Sequence, residues 1–129
     1  MPPRRRRSLE ANRAAVYLRQ STYREESVSL EQQETACRDY CTRRGYTVTE
    51  VIADPGLSGR KWSKRPGVQR AMTLLDDDHA DVIVTWKWSR ISRRRLDFEV
   101  AMDRAENAGG RIESATEPVD VTDRRPVES

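Results

Sequence analysis

The chain has 129 residues, of which 36% are hydrophobic and 35% are charged, so it holds enough apolar side chains for one modest core in one domain. No apolar run approaches the roughly 18 residues of a membrane span, and the arginine-rich start at residues 4–7 lacks the apolar stretch of a secretory signal. The net charge is +3 and becomes −1 without those four arginines (20 basic against 21 acidic residues), so the mean charge identifies no partner.

Cysteine and histidine are scarce. Cys37 and Cys41 lie four residues apart and fit core thiols on one helix face in a reducing cytoplasm, because two thiols do not make a disulfide framework. With His79 as the only histidine, a zinc site of four His and Cys ligands is excluded. The distribution of charge is more informative, since residues 57–75 and 86–96 each carry five basic side chains and no acidic one. Two such segments suggest a polyanionic partner.

The first half of the chain begins with a predicted disordered basic tail at residues 1–12. The apolar residues 14–18 predict a buried strand. A helix is predicted to begin near Ser29, because Gln32 three residues later completes a capping box, and Gly45 is a typical helix stop.

The second half continues the alternation of strands and helices. β-branched residues favour a strand at 46–53, and apolar spacing favours a helix through 68–75. Residues 81–86 contain a Val-Ile-Val run that suits a strand covered on both faces. A third helix is predicted at about 94–107 and a fourth strand at 111–115.

The predicted order is β-α-β-α-β-α-β. Such alternation predicts an α/β fold of three layers, with a mostly parallel β-sheet and helices on both faces. Trp86 and Trp88 are expected to point the same way from the third strand, toward one helix-covered face.

Chemistry-bearing residues follow the carboxyl ends of the predicted strands, where open α/β sheets bind ligands. They are Arg19 and Ser21 after the first strand, Asp54 and the basic residues 60–65 after the second, and Lys87, Arg90 and Arg93 after the third. His79 precedes the third strand and is expected at the opposite edge, which argues against a serine–histidine triad. A serine among arginines suits phosphoryl transfer, because guanidinium groups bind phosphate oxygens in pairs and stabilise charge in the transition state.

These residues resemble a known family. Residues 17–21 (Tyr-Leu-Arg-Gln-Ser) resemble the Tyr-x-Arg-x-Ser signature of serine recombinases, the resolvase and invertase superfamily. Residues 29–33 (Ser-Leu-Glu-Gln-Gln) resemble the start of that family's first helix, and residues 54–67 its mobile loop. Residues 88–93 (Trp-Ser-Arg-Ile-Ser-Arg) are similar to its Asp-Arg-Leu-x-Arg motif, and 115–120 (Ala-Thr-Glu-Pro-Val-Asp) to the end of the domain in large serine integrases of phages and mobile elements.

The resemblance implies a reaction on double-stranded DNA. A serine attacks the phosphodiester and forms a 5′-phosphoserine bond, which conserves the bond energy, so neither ATP nor a metal ion or other cofactor is needed. Paired subunits cut both duplexes, one half of a tetramer rotates, and the free 3′-hydroxyls reseal exchanged strands. The implied boundaries are a catalytic domain at 13–120 and a truncated polar tail at 121–129.

The resemblance also implies roles for residues at matching positions. Ser21 is the implied nucleophile. Gln33 would support the site from the first helix, and Asp54 would orient an arginine or assist proton transfer. The implied phosphate ligands are Arg19, Arg90, Arg93 and, from the loop, Arg65. Further cations expected to contact DNA are Lys87, Arg60, Lys61, Lys64 and Arg94.

Two departures from the family pattern stand out. Ser89 occupies the position where the family usually has Asp, which questions a proton-transfer role there. The long helix for dimer and tetramer contacts and the DNA-binding region do not fit after residue 120, so an isolated or truncated catalytic domain with weak self-association is expected.

Plain structural alternatives remain for several residues. Gln33 could be an exposed helix residue and Asp54 a routine turn residue. Arg90 and Arg93 could form a solvated helix start, although cations there oppose the helix dipole. At the level of the whole chain, the alternatives are an inactive recombinase-like dimerisation or DNA-binding module, and a receiver-like regulatory domain with Asp54 as phosphate acceptor.

Overall fold

The computed structural model describes residues 12–20, 28–54, 65–92 and 94–117. These residues form four strands: β1 (Arg13–Arg19), β2 (Thr47–Asp54), β3 (Val82–Thr85) and β4 (Arg111–Ser114). The helices of the described ranges are α1 (Leu30–Arg44), α2 (Pro66–Asp76), α3 (Trp88–Ile91) and α4 (Arg95–Asn107).

The four strands form one sheet in the order β2-β1-β3-β4, and all three pairings are parallel. The central position of β3 explains its Val-Ile-Val run, because all four residues of this strand are fully buried. Parallel pairing also places the carboxyl ends of the strands, at Arg19, Asp54, Thr85 and Ser114, along one edge. The predicted parallel α/β sheet is confirmed.

Helices cover both faces of the sheet, so the predicted three layers are confirmed. Helix α1 packs on one face, where Cys37 and Cys41 meet Val16 and Val84. Helices α2 and α4 pack on the other face around Tyr17 and the apolar residues of both helices. Both cysteines are free and buried, as predicted for core thiols, and burial raises the pKa of Cys37 to about 12.

Helix α1 begins and ends where the sequence predicts. The Ser29 hydroxyl accepts from the Gln32 N–H at 3.1 Å, and the Gln32 side chain accepts from the Ser29 N–H at 3.1 Å, which completes the capping box. At the other end Gly45 takes the left-handed conformation with φ of 77°. Ser29 thus fixes the entry of the chain into α1 near the carboxyl end of β1, and Gly45 ends the helix shortly before β2.

The segment after β3 differs from the prediction. In place of one helix, the short helix α3 comes first and α4 begins at Arg95. The expectation that Trp86 and Trp88 share a face is therefore wrong. Trp86 packs with the α1 side of the sheet, whereas Trp88 packs edge-on against Phe98 of α4 at 5.3 Å between ring centroids. The alternation of a strand does not extend to Trp88, because the extended chain ends at Thr85.

Two further expectations concern the position of His79 and the presence of a membrane-spanning helix. His79 lies exposed in the loop before β3, at the edge opposite the carboxyl ends of the strands, as expected. No helix within the described part of the chain is both long and apolar enough to cross a membrane.

Candidate active site

Five of the predicted site residues lie outside the described residues. They are Ser21, Arg93, Arg60, Lys61 and Lys64. The remaining ones lie at the carboxyl edge of the sheet or in the turns that follow it, and they are Arg19, Gln33, Asp54, Arg65, Lys87, Arg90 and Arg94.

Asp54 is the last residue of β2, and its buried carboxylate accepts hydrogen bonds from three donors. It accepts from the Tyr17 hydroxyl at 2.6 Å and from the backbone N–H groups of Gly67 at 2.7 Å and Val68 at 3.0 Å. The carboxylate therefore binds the first turn of α2, where free N–H groups and the helix dipole favour negative charge. It is not a routine turn residue, because it is 2% exposed and belongs to the strand.

Arg65 immediately precedes α2, so the contact between Asp54 and that helix also fixes the backbone at Arg65. Its side chain is buried, one Nη2–H donates to the carbonyl oxygen of Ile91, and the guanidinium carbon lies 5.9 Å from the centroid of the Tyr17 ring. Burial lowers the pKa of Arg65, and the positive charge of Arg19 lowers it further. The Nε atom is buried without a hydrogen-bond partner among the described residues.

Arg19 is the last residue of β1, and its side chain extends to α3, the short helix that Arg65 contacts through Ile91. Its Nε–H donates to the carbonyl oxygen of Arg90 at 3.4 Å, and its Nη2–H donates to that of Ser89 at 3.3 Å. Both distances are long for a hydrogen bond to a carbonyl oxygen. Arg19 and Arg65 thus place their guanidinium groups at three successive carbonyls of α3, those of residues 89–91.

Arg90 lies within α3 and is the largest fully buried side chain of the described chain. Its guanidinium carbon lies 4.8 Å from the centroid of the Trp86 ring, and its Nη1–H donates to the Ser89 hydroxyl at 3.3 Å. A solvated helix start is therefore wrong for Arg90. Helix α3 therefore leaves the Arg90 guanidinium buried beside Trp86, the residue that follows the end of β3.

Gln33 is fully buried, so the alternative of an exposed helix residue is wrong. Its amide group bridges α1 to the end of β1. Nε2 donates to the carbonyl oxygens of Arg19 at 3.1 Å and Val28 at 3.0 Å, while Oε1 accepts from the Arg19 N–H at 3.4 Å. The amide fixes the backbone on both sides of residues 21–27, the segment that carries Ser21.

The two described DNA-contact candidates lie near this site. Lys87 is half-buried, and its ammonium nitrogen lies 5.0 Å from the centroid of the Trp86 ring. Arg94 is exposed at the start of α4, and its backbone N–H donates to the Ser92 hydroxyl at 3.0 Å.

The buried charges at this edge are predominantly positive. Arg65 and Arg90 are buried, Arg19 is partly buried, and Asp54 is the buried carboxylate on the same side. The other buried carboxylate of the described chain, Asp81, precedes β3 at the opposite edge and pairs with Arg13. Within the described ranges, no group of three or more His, Cys, Asp or Glu side chains lies together as metal ligands would. This excess of guanidinium groups suits the binding of an anion with several oxygens.

The sequence of this chain matches a known protein family. The family described as "Resolvase, N terminal domain" matches residues 14–127, which is most of the chain. The chain belongs to this family. No curated protein sequence is similar enough to this resolvase domain to count as a relative.

Solved structures agree with the family. The resolvase domain resembles the C-terminal catalytic domain of ISC1926 TnpA, an IS607-like serine recombinase, with a TM-score of 0.68 and 29% identity over 80% of this chain and 70% of that one. It also resembles the N-terminal catalytic domain of TP901-1 integrase, with a TM-score of 0.70 and 26% identity over 81% and 77% of the two chains. The resolvase domain is thus a serine recombinase catalytic domain, as the sequence motifs predicted.

A third structure shares the fold alone. A resolvase family site-specific recombinase from Streptococcus pneumoniae has a TM-score of 0.62 and 21% identity over 89% of this chain and 75% of its own.

Sequence reasoning missed two residues of the site. The sequence indicates Tyr17 only as part of a buried strand and of the signature, yet its hydroxyl binds Asp54 and its ring faces Arg65. A tyrosine inside a buried strand was the available signal, because a buried hydroxyl needs a hydrogen-bond partner. Trp86, which lies against Arg90, was noted only as a core residue, and no sequence pattern indicated a short helix that returns Arg90 to it.

Proposed function

We propose that this serine recombinase domain cleaves double-stranded DNA with Ser21 as the nucleophile. The Ser21 Oγ attacks the phosphorus of one phosphodiester, and an O–P bond forms as the bond between phosphorus and the 3′-oxygen breaks. The hydroxyl of Ser21 loses one proton and the departing 3′-oxygen gains one, so the products are a 5′-phosphoserine ester and a free 3′-hydroxyl. In the reverse direction, a 3′-hydroxyl from another strand attacks the ester and releases Ser21.

The observation that carries this proposal is the convergence of three guanidinium groups around α3. Arg19 and Arg65 bind carbonyls of that helix, and Arg90 lies within it. Ser21 follows Arg19, the last residue of β1, by two residues in the sequence. Phosphate oxygens accept hydrogen bonds from guanidinium more strongly than neutral carbonyls do. In the DNA complex, the arginines exchange carbonyl oxygens for the oxygens of the scissile phosphate.

Asp54 and Gln33 do not bind the phosphate in this proposal but position the residues that do. Asp54 holds the start of α2 and thereby the backbone of Arg65, which supports a role in orienting an arginine rather than in proton transfer. Gln33 holds the ends of the segment that carries Ser21. In this proposal Arg93, which follows Ser92 in the sequence, is the fourth arginine that binds the scissile phosphate.

Contacts with the rest of the DNA come from cations around the cluster. Lys87 and exposed Arg94 lie beside it in the described chain. Loop residues Arg60, Lys61 and Lys64 add positive charge between Asp54 and Arg65 in the sequence. Such side chains neutralise backbone phosphates without reading bases, so we expect this binding to weaken steeply with salt.

Self-association and location follow from the proposal. Strand exchange needs paired subunits, and we propose a dimer or tetramer on DNA with weak self-association of this chain alone. Sedimentation at several concentrations tests this, because a tight tetramer at low micromolar concentration would refute it. The large integrases remain the predicted subclass because of the motifs at residues 29–33 and 115–120, and the similar identities to IS607-like TnpA and TP901-1 integrase do not separate the subclasses. A cytoplasmic location remains a prediction from the cysteine content.

The alternative functions fit the geometry less well. A receiver-like domain needs Asp54 accessible to a phosphoryl donor, but its carboxylate is buried under Gly67 and Val68. An inactive DNA-binding module gives no reason to desolvate Arg65 and Arg90, because burying a cation is costly unless it has a use.

Covalent trapping tests the proposed function. The full chain, joined to a DNA-binding module of known specificity, is given a nicked duplex that cannot religate, in the presence of a chelator. We expect a protein–DNA adduct that resists denaturant, and no adduct with Ser21→Ala. An adduct that survives Ser21→Ala would overturn the assignment of the nucleophile.

A further inference from the structure

The indole ring of Trp86 bears two cations at the carboxyl end of β3. The guanidinium carbon of Arg90 lies 4.8 Å from the ring centroid, and the ammonium nitrogen of Lys87 lies 5.0 Å from it. Both distances are within the range of about 6 Å in which a cation over an aromatic face is attracted. Because Arg90 is fully buried, this attraction acts away from water, where it is strongest.

The backbone of Trp86 is held in place by β4 and by the turn that follows it. Its carbonyl oxygen accepts from the Ser114 hydroxyl at 3.0 Å and from the Thr116 hydroxyl at 2.7 Å. Its half-buried ring packs against the apolar cluster on the α1 side of the sheet. The ring is therefore a fixed surface on which the Arg90 guanidinium lies.

Ser89, the residue before Arg90, makes the Trp86 ring more important for holding the Arg90 guanidinium. The family pattern leads one to expect Asp immediately before this arginine, but the chain has Ser89. The Ser89 hydroxyl accepts from Arg90 Nη1–H at 3.3 Å, and a neutral hydroxyl attracts a cation less than a carboxylate does. The Trp86 face supplies attraction for the guanidinium without adding a negative charge that would repel a phosphate.

We propose that Trp86 is a positioning residue that holds the Arg90 guanidinium in the orientation needed for the scissile phosphate. This inference rests on the proposed function, since it assumes that Arg90 binds that phosphate. A flat aromatic face fixes the plane of a guanidinium group and leaves its N–H edges free to bind oxygen atoms. An apolar residue without a π face would lose this control.

The test compares Trp86→Leu, which removes the aromatic face, with Trp86→Phe, which keeps one. The first readout is the NMR signal of the Arg90 Nε–H, assigned by its loss in Arg90→Lys. The ring current of Trp86 shifts this proton signal in the unaltered chain. We expect the signal in Trp86→Leu to move toward that of an arginine away from any ring, and the signal in Trp86→Phe to keep part of its shift.

The second readout is the rate of adduct formation on the nicked duplex, with the full chain joined to the DNA-binding module. We expect Trp86→Leu to lower the rate constant about tenfold at saturating DNA, with little change in the affinity for DNA. Trp86→Phe should restore most of the rate. Ser89→Asp in the Trp86→Leu chain should also restore part of it, because a carboxylate replaces the lost attraction.

The control is Tyr46→Leu, at the edge opposite the carboxyl ends of the strands, which removes an aromatic face 5.2 Å from Arg111 together with the hydrogen bonds of the Tyr46 hydroxyl to Glu113. Its rate of adduct formation should match that of the unaltered chain. Equal rates in Trp86→Leu and Trp86→Phe, or an Arg90 signal that neither variant moves, would overturn the proposal. The NMR readout does not depend on Ser21, so absence of a Ser21 adduct in the unaltered chain overturns the proposed function separately.

Discussion

The Asp54 carboxylate and the backbone of Gly67 approach so closely that residue 67 has no room for a side chain. The Gly67 N–H donates to Asp54 Oδ1 at 2.7 Å, and a Cβ at Gly67 would lie 2.6 Å from the same oxygen. The carboxylate cannot move aside freely, because Tyr17 and Val68 also bind it. This contact joins the end of β2 to the start of α2, and so to Arg65.

Gly67→Ala should therefore lower the free energy of unfolding, by about 1–3 kcal/mol, through overpacking in a filled site. This direction opposes helix propensity, by which alanine is favoured over glycine by about 1 kcal/mol. Urea denaturation of the two proteins measures the difference.

The control is the same substitution in an Asp54→Ala background. Without the carboxylate, the new methyl group has space, and Gly67→Ala should be neutral or stabilising there. An equal loss of stability in both backgrounds would show that the contact with Asp54 is not the cause.

Gln33→Ala should lower the free energy of unfolding by about 1–3 kcal/mol, because it removes a fully buried amide and leaves the partly buried carbonyls of Arg19 and Val28 without this donor. Gln33→Glu keeps the shape but replaces the Nε2 donor with an acceptor, so it should be no better than alanine. Chemical denaturation measures both variants. A Gln33→Glu chain as stable as the unaltered one would contradict these contacts.

Arg65→Met should separate stability from activity. The buried guanidinium is costly to desolvate, as the lowered pKa of Arg65 indicates, and methionine fills similar space without charge. We expect the free energy of unfolding to stay within about 1 kcal/mol while adduct formation on the nicked duplex is lost, since one donor to the phosphate is worth on the order of 3–4 kcal/mol in the barrier. Retained cleavage in Arg65→Met would remove Arg65 from the site.

Alkaline pH should destabilise the fold through its buried acids. Burial raises the pKa of Cys37 from 9.0 to about 12, so between these values the unfolded thiol ionises and the folded one stays neutral. This stabilisation is complete below about pH 9 and is lost as the pH rises toward 12. Burial also raises the pKa of Tyr17, which adds to the loss above pH 10.

The measurement is the free energy of unfolding at pH 8, 9 and 10, in the unaltered chain and in Cys37→Ala. Its slope with pH should be smaller in Cys37→Ala, by at most about 1.4 kcal/mol per pH unit. Identical slopes in the two proteins would contradict a buried neutral thiol in the folded state.

Local patterns in the sequence were sufficient for most of the fold. The capping box at Ser29, the left-handed Gly45 and the fully buried β3 each follow from short-range chemistry, and the structure confirms all three. The convergence of residues from three loops was also predictable, because parallel strands place their carboxyl ends at one edge.

The remaining details depend on contacts between distant residues. Nothing in the sequence around Asp54 indicates that its carboxylate binds Gly67, 13 residues away, rather than an arginine. The short helix α3 has four residues, too few for an apolar period to be visible. Its turn directs Arg90 inward and separates Trp86 from Trp88, and both effects arise from tertiary packing.

The most direct measurement of the central claim is the chemistry of the trapped adduct. Peptide mapping by mass spectrometry locates the modified residue, and extension of the cleaved strand by a polymerase reports whether a free 3′-hydroxyl is present. We predict a phosphodiester between Ser21 and the 5′ end of the DNA, with a 3′ end that is extended. A protein attached to the 3′ end, or an adduct at a residue other than Ser21, would contradict the proposed mechanism.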